Sequence, residues 1–195
     1  MGDKGWSTYR ENLAVESQFV LPWVTGRWYN AGAPGLRSIG TGLSPATGIL
    51  QPVCPPNGMT WTSVTIEVAT AAAAGNTARI GLYSDNFGYP FELLQDFGEA
   101  AIDAIAVVPI SISRFVPAGF YWIAVQLTTI TTVQFRTLND GSFSLSQSTD
   151  ATPTTDQCAF SYTPVATWSS TGLAGQFPKD SLSNAVITPR VLIGV

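Results

Sequence analysis

Between residues 60 and 138 apolar and polar positions alternate with a period of two, broken at short intervals by Gly, Pro, Asn and Asp. In residues 60–70, Val64, Ile66 and Val68 alternate with Thr65, Glu67 and Ala69, which predicts a strand with one buried face. Residues 79–83 repeat the pattern with Ile80 and Leu82 inward, and residues 84–90 (Ser-Asp-Asn-Phe-Gly-Tyr-Pro) are dense in turn formers. Residues 92–97 read as a short strand. Residues 107–113 read as another, and Pro109 within it has no N–H to give a neighbour, so an edge or a bulge is expected there. Residues 120–127 are aromatic and β-branched on both faces and predict a central strand. Further strands are expected at 133–138, 143–146, 159–163 and 185–195, with Asn139-Asp-Gly141 as a hairpin turn. The four alanines before Gly75-Asn76 are too few to nucleate a helix. About eight to ten short strands and no amphipathic helix predict an all-β chain, an antiparallel β-sandwich with jelly-roll-like character. Strand order is not encoded in these patterns.

The first fifty-five residues differ. Segments 26–35 and 40–48 are rich in Gly and Pro and show neither period. They predict an extended N-terminal arm with loops and short strands (1–55) leading into the sandwich (56–195). Trp6, Trp23, Trp28 and Tyr29 in this arm need a surface to cover, either on this subunit or on a neighbour. The apolar run Arg190-Val-Leu-Ile-Gly-Val195 predicts a C-terminal segment tied into a sheet or an interface.

Composition narrows the function classes. Charged residues make up only 11% of the 195, against about 25% in an ordinary soluble domain. Hydroxyl and amide side chains must therefore cover the surface, or partner subunits must bury it. The nine basic residues are scattered and the net charge is −4, so the clustered cations of a nucleic-acid footprint are missing. The opening residues, Met1-Gly-Asp-Lys-Gly-Trp6, contain no apolar signal region, and no window of about 18 apolar residues offers a membrane span. A chain that works outside the cell would then arrive by assembly into a particle made in the host cytoplasm, or be a processed fragment. Cys54 and Cys158 specify neither a disulfide framework nor a zinc site, and an idle pair of thiols is the simpler reading.

With no histidine, the usual general base and the triads built on it are missing. A carboxylate pair is the remaining catalytic route. Glu92, Asp96, Glu99 and Asp103 cluster in sequence, but strand alternation spreads them over both faces, so a solvated rim is expected and no catalytic residue is assigned. Ser84-Asp-Asn-Phe-Gly88 offers too few oxygens for calcium and reads as an Asx-type turn closed by Gly88; no metal or cofactor is expected. Trp28, Tyr29, Tyr89, Tyr162 and Trp168 lie in polar, loop-like surroundings where an aromatic face can stack on a sugar, and they are the candidate glycan contacts. Trp122, mid-strand, is expected in the core.

Three stretches carry a resemblance: Gly26-Arg-Trp-Tyr29; Thr77-Ala-Arg-Ile-Gly-Leu-Tyr-Ser-Asp-Asn86 with Gly88 and Pro90; and Pro117-Ala-Gly-Phe-Tyr-Trp-Ile-Ala-Val125. Together they resemble a β-sandwich domain of bacteriophage virion proteins, namely tail fibres, receptor-binding proteins and head-decoration fibres, over roughly half the chain. The resemblance implies a non-enzymatic structural protein of the virion, assembled as a homotrimer and in contact with other virion proteins and a host surface glycan. It implies no catalytic residues. Pro-Ala-Gly-x-Tyr-Trp also occurs in carbohydrate-binding modules, so a monomeric carbohydrate-binding module or adhesin domain is the alternative expectation. Neither reading involves nucleic acid or membrane insertion.

Overall fold

A computed structural model describes residues 22–31, 36–39, 48–127, 133–139, 159–162, 182–185 and 188–195. Within them thirteen strands and no helix form two antiparallel sheets packed face to face, which is the expected β-sandwich. The strands are β1 (Trp28–Ala31), β2 (Leu36–Ile39), β3 (Gly48–Val53), β4 (Met59–Thr70), β5 (Thr77–Asn86), β6 (Tyr89–Ala101), β7 (Val107–Val116), β8 (Tyr121–Leu127), β9 (Gln134–Asn139), β10 (Ala159–Tyr162), β11 (Leu182–Ala185), β12 (Thr188–Pro189) and β13 (Val191–Gly194). The expected strand at 143–146 and the Asp140-Gly141 part of the hairpin turn lie outside the described residues.

The first sheet is built around β4, which pairs with β7 on one side and with β13 and β9 on the other; β1 pairs with β13, and β2 and β12 with β9. The second runs β11-β10-β3-β8-β5-β6. The chain passes from β4 to β5 in the opposite sheet, turns into β6, returns as β7 beside β4, and crosses again as β8 beside β5. This is a Greek-key connection.

Alternation sets the core. Val64, Ile66 and Val68 of β4 meet Ile80 and Leu82 of β5, Ile123 and Val125 of β8, and Val191 and Ile193 of β13, all at most 2% exposed. The apolar C-terminal run is accordingly a strand between β1 and β4. Its end is pinned by backbone bonds from Gly26 N to Val195 O (2.6 Å) and from Val195 N to Arg27 O (3.2 Å). As Pro109 foretold, β7 pairs only with β4 among the described strands.

Segments read as an arm are woven into the sandwich. β1 pairs in full register with β13, and β3 is an interior strand between β10 and β8 with all six residues buried. The sandwich thus draws on residues on both sides of the expected boundary at 55/56. Pairing overrides the weak local signal of Gly48-Ile-Leu-Gln-Pro-Val53. Among the described residues β10 pairs with β3 only as far as Leu50, two residues before Pro52, which has no N–H to give a ladder. Trp23 and Tyr29 stack at 4.6 Å with planes 5° apart, and Trp23 leans on Trp61 at 6.1 Å, so these aromatics cover their own subunit. Trp6 lies outside the described residues.

The β5–β6 hairpin closes on Phe87-Gly88, both at positive φ (53° and 83°), the signature of a type I′ turn. Gly88 N donates to Asp85 Oδ2 at 3.1 Å, which is the Asx-type closure expected from sequence. Asp85 Oδ1 in turn accepts from Trp122 Nε1 at 2.8 Å. Trp122 is fully buried, but it points away from Ile123 and Val125, to the face of the second sheet opposite the intersheet core. Cys54, just after β3, is a free and exposed thiol whose partial burial pushes its pKa up; Cys158 lies outside the described residues.

Candidate functional site

Four strands of the first sheet, β1, β13, β4 and β7, lie side by side, and their outward positions form continuous rungs. Asn30 faces Leu192, Leu192 faces Thr65, and Thr65 faces Pro109. One rung along, Trp28 faces Gly194, Gly194 faces Ser63, and Ser63 faces Ser111. Residues directly opposite in antiparallel strands share a face, so these side chains come together on the side turned away from the core. Here the surface is hollowed into a groove of about 470 Å³ lined by Trp28, Asn30, Thr65, Val107, Pro109, Arg190 and Leu192.

Its most exposed aromatic is Trp28, which keeps 53% of its surface in solvent. The indole stays there because position 194 is glycine. A Cβ at that position would lie 3.1 and 3.2 Å from Trp28 Cζ3 and Cη2, so the six-membered ring rests on the bare backbone of β13. Thr65, only 2% exposed, lies deep in the groove, and the neighbouring hydroxyls Ser63 Oγ and Thr65 Oγ1 are 3.3 Å apart. Leu192, Pro109 and Val107 supply apolar lining. At the far end Arg190 Nε donates to Asn30 Oδ1 at 3.2 Å and fixes the orientation of the amide. Arg190 Nη1 lies 3.5 Å from Glu67 Oε2, and Arg136 Nε lies 3.6 Å from Glu67 Oε1.

The chemistry on offer is recognition: one exposed π-face, an amide, hydroxyls and a guanidinium. Arginine stays protonated at any relevant pH and cannot act as a base. Glu67, the nearby carboxylate, sits between two guanidinium groups and is only 13% exposed.

The acidic cluster of β6 and its following loop is held elsewhere. Arg79 bonds Asp96 Oδ2 (2.8 Å) and Glu99 Oε1 (3.1 Å); Asp96 Oδ1 accepts from Gly98 N (2.9 Å), Glu99 Oε2 accepts from Thr77 Oγ1 (2.9 Å), and Asp103 Oδ2 accepts from Gly75 N (3.1 Å). Glu92 is exposed beside Ser84. These bonds tie the edge hairpin together. On the same sheet, burial and, secondarily, the Asp96 charge push the Tyr83 hydroxyl far above its ordinary pKa.

Of the five aromatic candidates, Trp28 lines the groove. Tyr29 points the other way along β1, stacks on Trp23, and accepts a hydrogen bond from Val24 N through its hydroxyl (2.7 Å). Tyr89 is half-buried on the second sheet at the base of the β5–β6 turn, opposite Asn86. Tyr162 sits in β10 opposite Gly48 and Leu182, and Trp168 lies outside the described residues. Asn30, Thr65 and Arg190 were not singled out by sequence. Thr65 and Glu67 were visible as the polar phase of β4, but nothing local places Arg190 beside Asn30, 160 positions away.

Compared with known proteins, the chain matches no family model and no curated protein sequence.

Proposed function

We propose that this chain is a non-enzymatic binding sandwich displayed on a bacteriophage particle, as a decoration, fibre or receptor-binding element, and that it contacts a saccharide through the outer groove of the first sheet. The observation that carries the reading is the exposed Trp28 ring, held over Gly194 and flanked by Asn30, Thr65 and Arg190. A flat apolar face beside a few fixed polar groups is how sugar-sized ligands are oriented. The scarcity of charge supports display on a particle, where subunit contacts cover uncharged surface, and a homotrimer is the assembly proposed. Exposed Ile105 (72%) and Phe115 (59%) are apolar surface of the kind that subunit contacts bury.

Two measurements test the reading. Titration of soluble oligosaccharides, followed by Trp fluorescence and calorimetry, should give saturable binding that Trp28→Ala abolishes; no binding across a broad panel would end the saccharide claim. Light scattering on a size-exclusion column should give three times the 20.7 kDa chain mass. A stable monomer that still binds sugar would replace the virion trimer with a carbohydrate-binding module or adhesin domain, which the same groove serves equally well.

A further inference from the structure

We infer that the ligand of this groove is an acidic saccharide of two or three rings, whose carboxylate meets Arg190 while a ring at the other end stacks on Trp28. The inference rests on the saccharide reading above and adds the charge and length of the ligand.

Charge comes first. Within a chain of net charge −4, Arg190, which lines the end of the groove away from Trp28, and Arg136 flank the carboxylate of Glu67. Among the described residues these three side chains sum to 2 − 1, an excess of one positive charge. Both ion pairs are loose, at 3.5 and 3.6 Å, whereas a locked guanidinium–carboxylate pair closes to about 2.7–2.9 Å. Arg190 is anchored through Nε to Asn30 and through Nη1 to Glu67, two contacts for a group that carries five N–H donors. A guanidinium already oriented by Asn30 and Glu67, with donors to spare and its side chain 26% exposed, is built to receive a carboxylate.

Length follows from the register. Trp28 lies opposite Gly194, and Arg190 is four residues back along the same strand direction. At about 3.3 Å per residue the two anchors are roughly 13 Å apart along the backbone. Arg190 Nε reaches back to Asn30, two residues or about 7 Å from Trp28 along β1, so a ring stacked on Trp28 needs a further ring to carry a carboxylate to Arg190. Asn30, Thr65 and Leu192 occupy the space between and would orient a middle ring.

The test uses the full chain with two matched pairs of probes: trigalacturonate against galactotriose, and sialyllactose against lactose. The acidic member of at least one pair should bind about tenfold tighter than its neutral partner, the size of one charge-assisted hydrogen bond. Which pair responds distinguishes a uronate from a sialate source. Added salt should weaken the acidic probe and leave the neutral one unchanged. Arg190→Gln should erase the preference, weakening the acidic probe by about tenfold more than the neutral one. Glu67→Gln should strengthen acidic binding, a gain that damage to the fold does not produce. Equal affinity for both members of each pair would overturn the acidic assignment and leave the saccharide reading standing. Failure of every probe to bind would overturn both. Acidic preference that survives Arg190→Gln would also overturn the inference, by placing the charge contact elsewhere.

Discussion

The two sheets turn different outer faces to their surroundings. On the first, β4 alternates from Ser63 to Val68: Val64, Ile66 and Val68 face the core, while Ser63, Thr65 and Glu67 face out, Thr65 lining the groove. On the second, β3, β5 and β8 are buried on both faces. Ile80, Ile123 and Val125 fill the intersheet core, and Leu50, Tyr83, Trp122 and Ala124 on the opposite face are also 0% exposed. A sheet buried on both sides gives its side chains to stability. A sheet with one polar outer face can carry a ligand at little structural expense. Substitutions on the two outer faces should therefore separate cleanly into losses of folding and losses of binding.

The largest effect is expected at Trp122. Trp122→Ala removes a fully buried indole and leaves Asp85 without its 2.8 Å donor. A destabilisation of about 3–5 kcal/mol is expected from truncation of a buried large aromatic. Urea unfolding measures it. A loss below about 1 kcal/mol, the scale of an ordinary surface change, would show that the outer face of the second sheet is dispensable and break the comparison.

A gain of stability is expected inside the core. Gln51 of β3 is fully buried, faces the same side as Ile123, and neither polar atom of its amide has a hydrogen-bond partner among the described residues. An unpaired buried amide costs about 1–3 kcal/mol. Gln51→Leu keeps the approximate shape and removes the penalty, so its melting temperature should rise. A fall would mean that the amide is bonded within the core and contributes to it.

Tyr83 makes the second sheet sensitive to alkali. Burial, with the Asp96 charge adding to it, raises its pKa far above the unfolded value near 10. Above pH 10 the unfolded chain releases this proton and the folded chain keeps it. The contribution is therefore fully present below about pH 10 and declines above it, by about 1.4 kcal/mol per pH unit for one group. Unfolding free energies measured from pH 8 to 12 should show that decline, and Tyr83→Phe should flatten it. An unchanged slope in the variant would assign the alkaline loss to other groups.

A smaller gain is expected at the tip of the β5–β6 hairpin. Phe87 is 95% exposed with φ at +53°, a conformation that Asn adopts more readily than Phe. Phe87→Asn should stabilise the hairpin by about 1 kcal/mol, the strain of a left-handed non-glycine residue. Thermal unfolding of the two chains side by side checks this. A loss instead would mean that the exposed ring packs against something that the described residues do not show.

The same contrast explains what could be read from the chain. β4 announced itself by alternation, and β8 by apolar residues on both phases, because burial pattern and sequence pattern coincide there. β1 escaped notice because it is only four residues long, and β3 because Gly48, Gln51 and Pro52 interrupt it; their extended state comes from β13, β8 and β10 alongside. Trp28 was legible as an aromatic in polar company. Its platform was not, since Gly194 reaches it only through the pairing of chain segments that lie far apart in sequence. Arg190 and Asn30 meet by the same pairing. The turn at Asp85–Gly88 was legible because Asx chemistry is local, but the positive φ of Phe87 follows from the two-residue hairpin and not from its own preference.

The smallest effect on folding, and the sharpest test of the contrast, belongs to Trp28. Trp28→Ala removes a ring that is half in solvent and rests on the backbone of β13 in its own sheet. Substitution at an exposed position away from core and caps changes stability by about 0.5 kcal/mol or less. The urea midpoint should therefore stay within error of the parent, while saccharide affinity falls by an order of magnitude or more. Trp122→Ala should show the reverse in any variant still folded enough to assay: a low midpoint, with affinity retained below it. If Trp28→Ala instead lowers the midpoint by several kcal/mol, the ring is holding β1 onto β13. The first sheet would then be using its outer face for stability, as the second does, and the division of labour between the two sheets would fail.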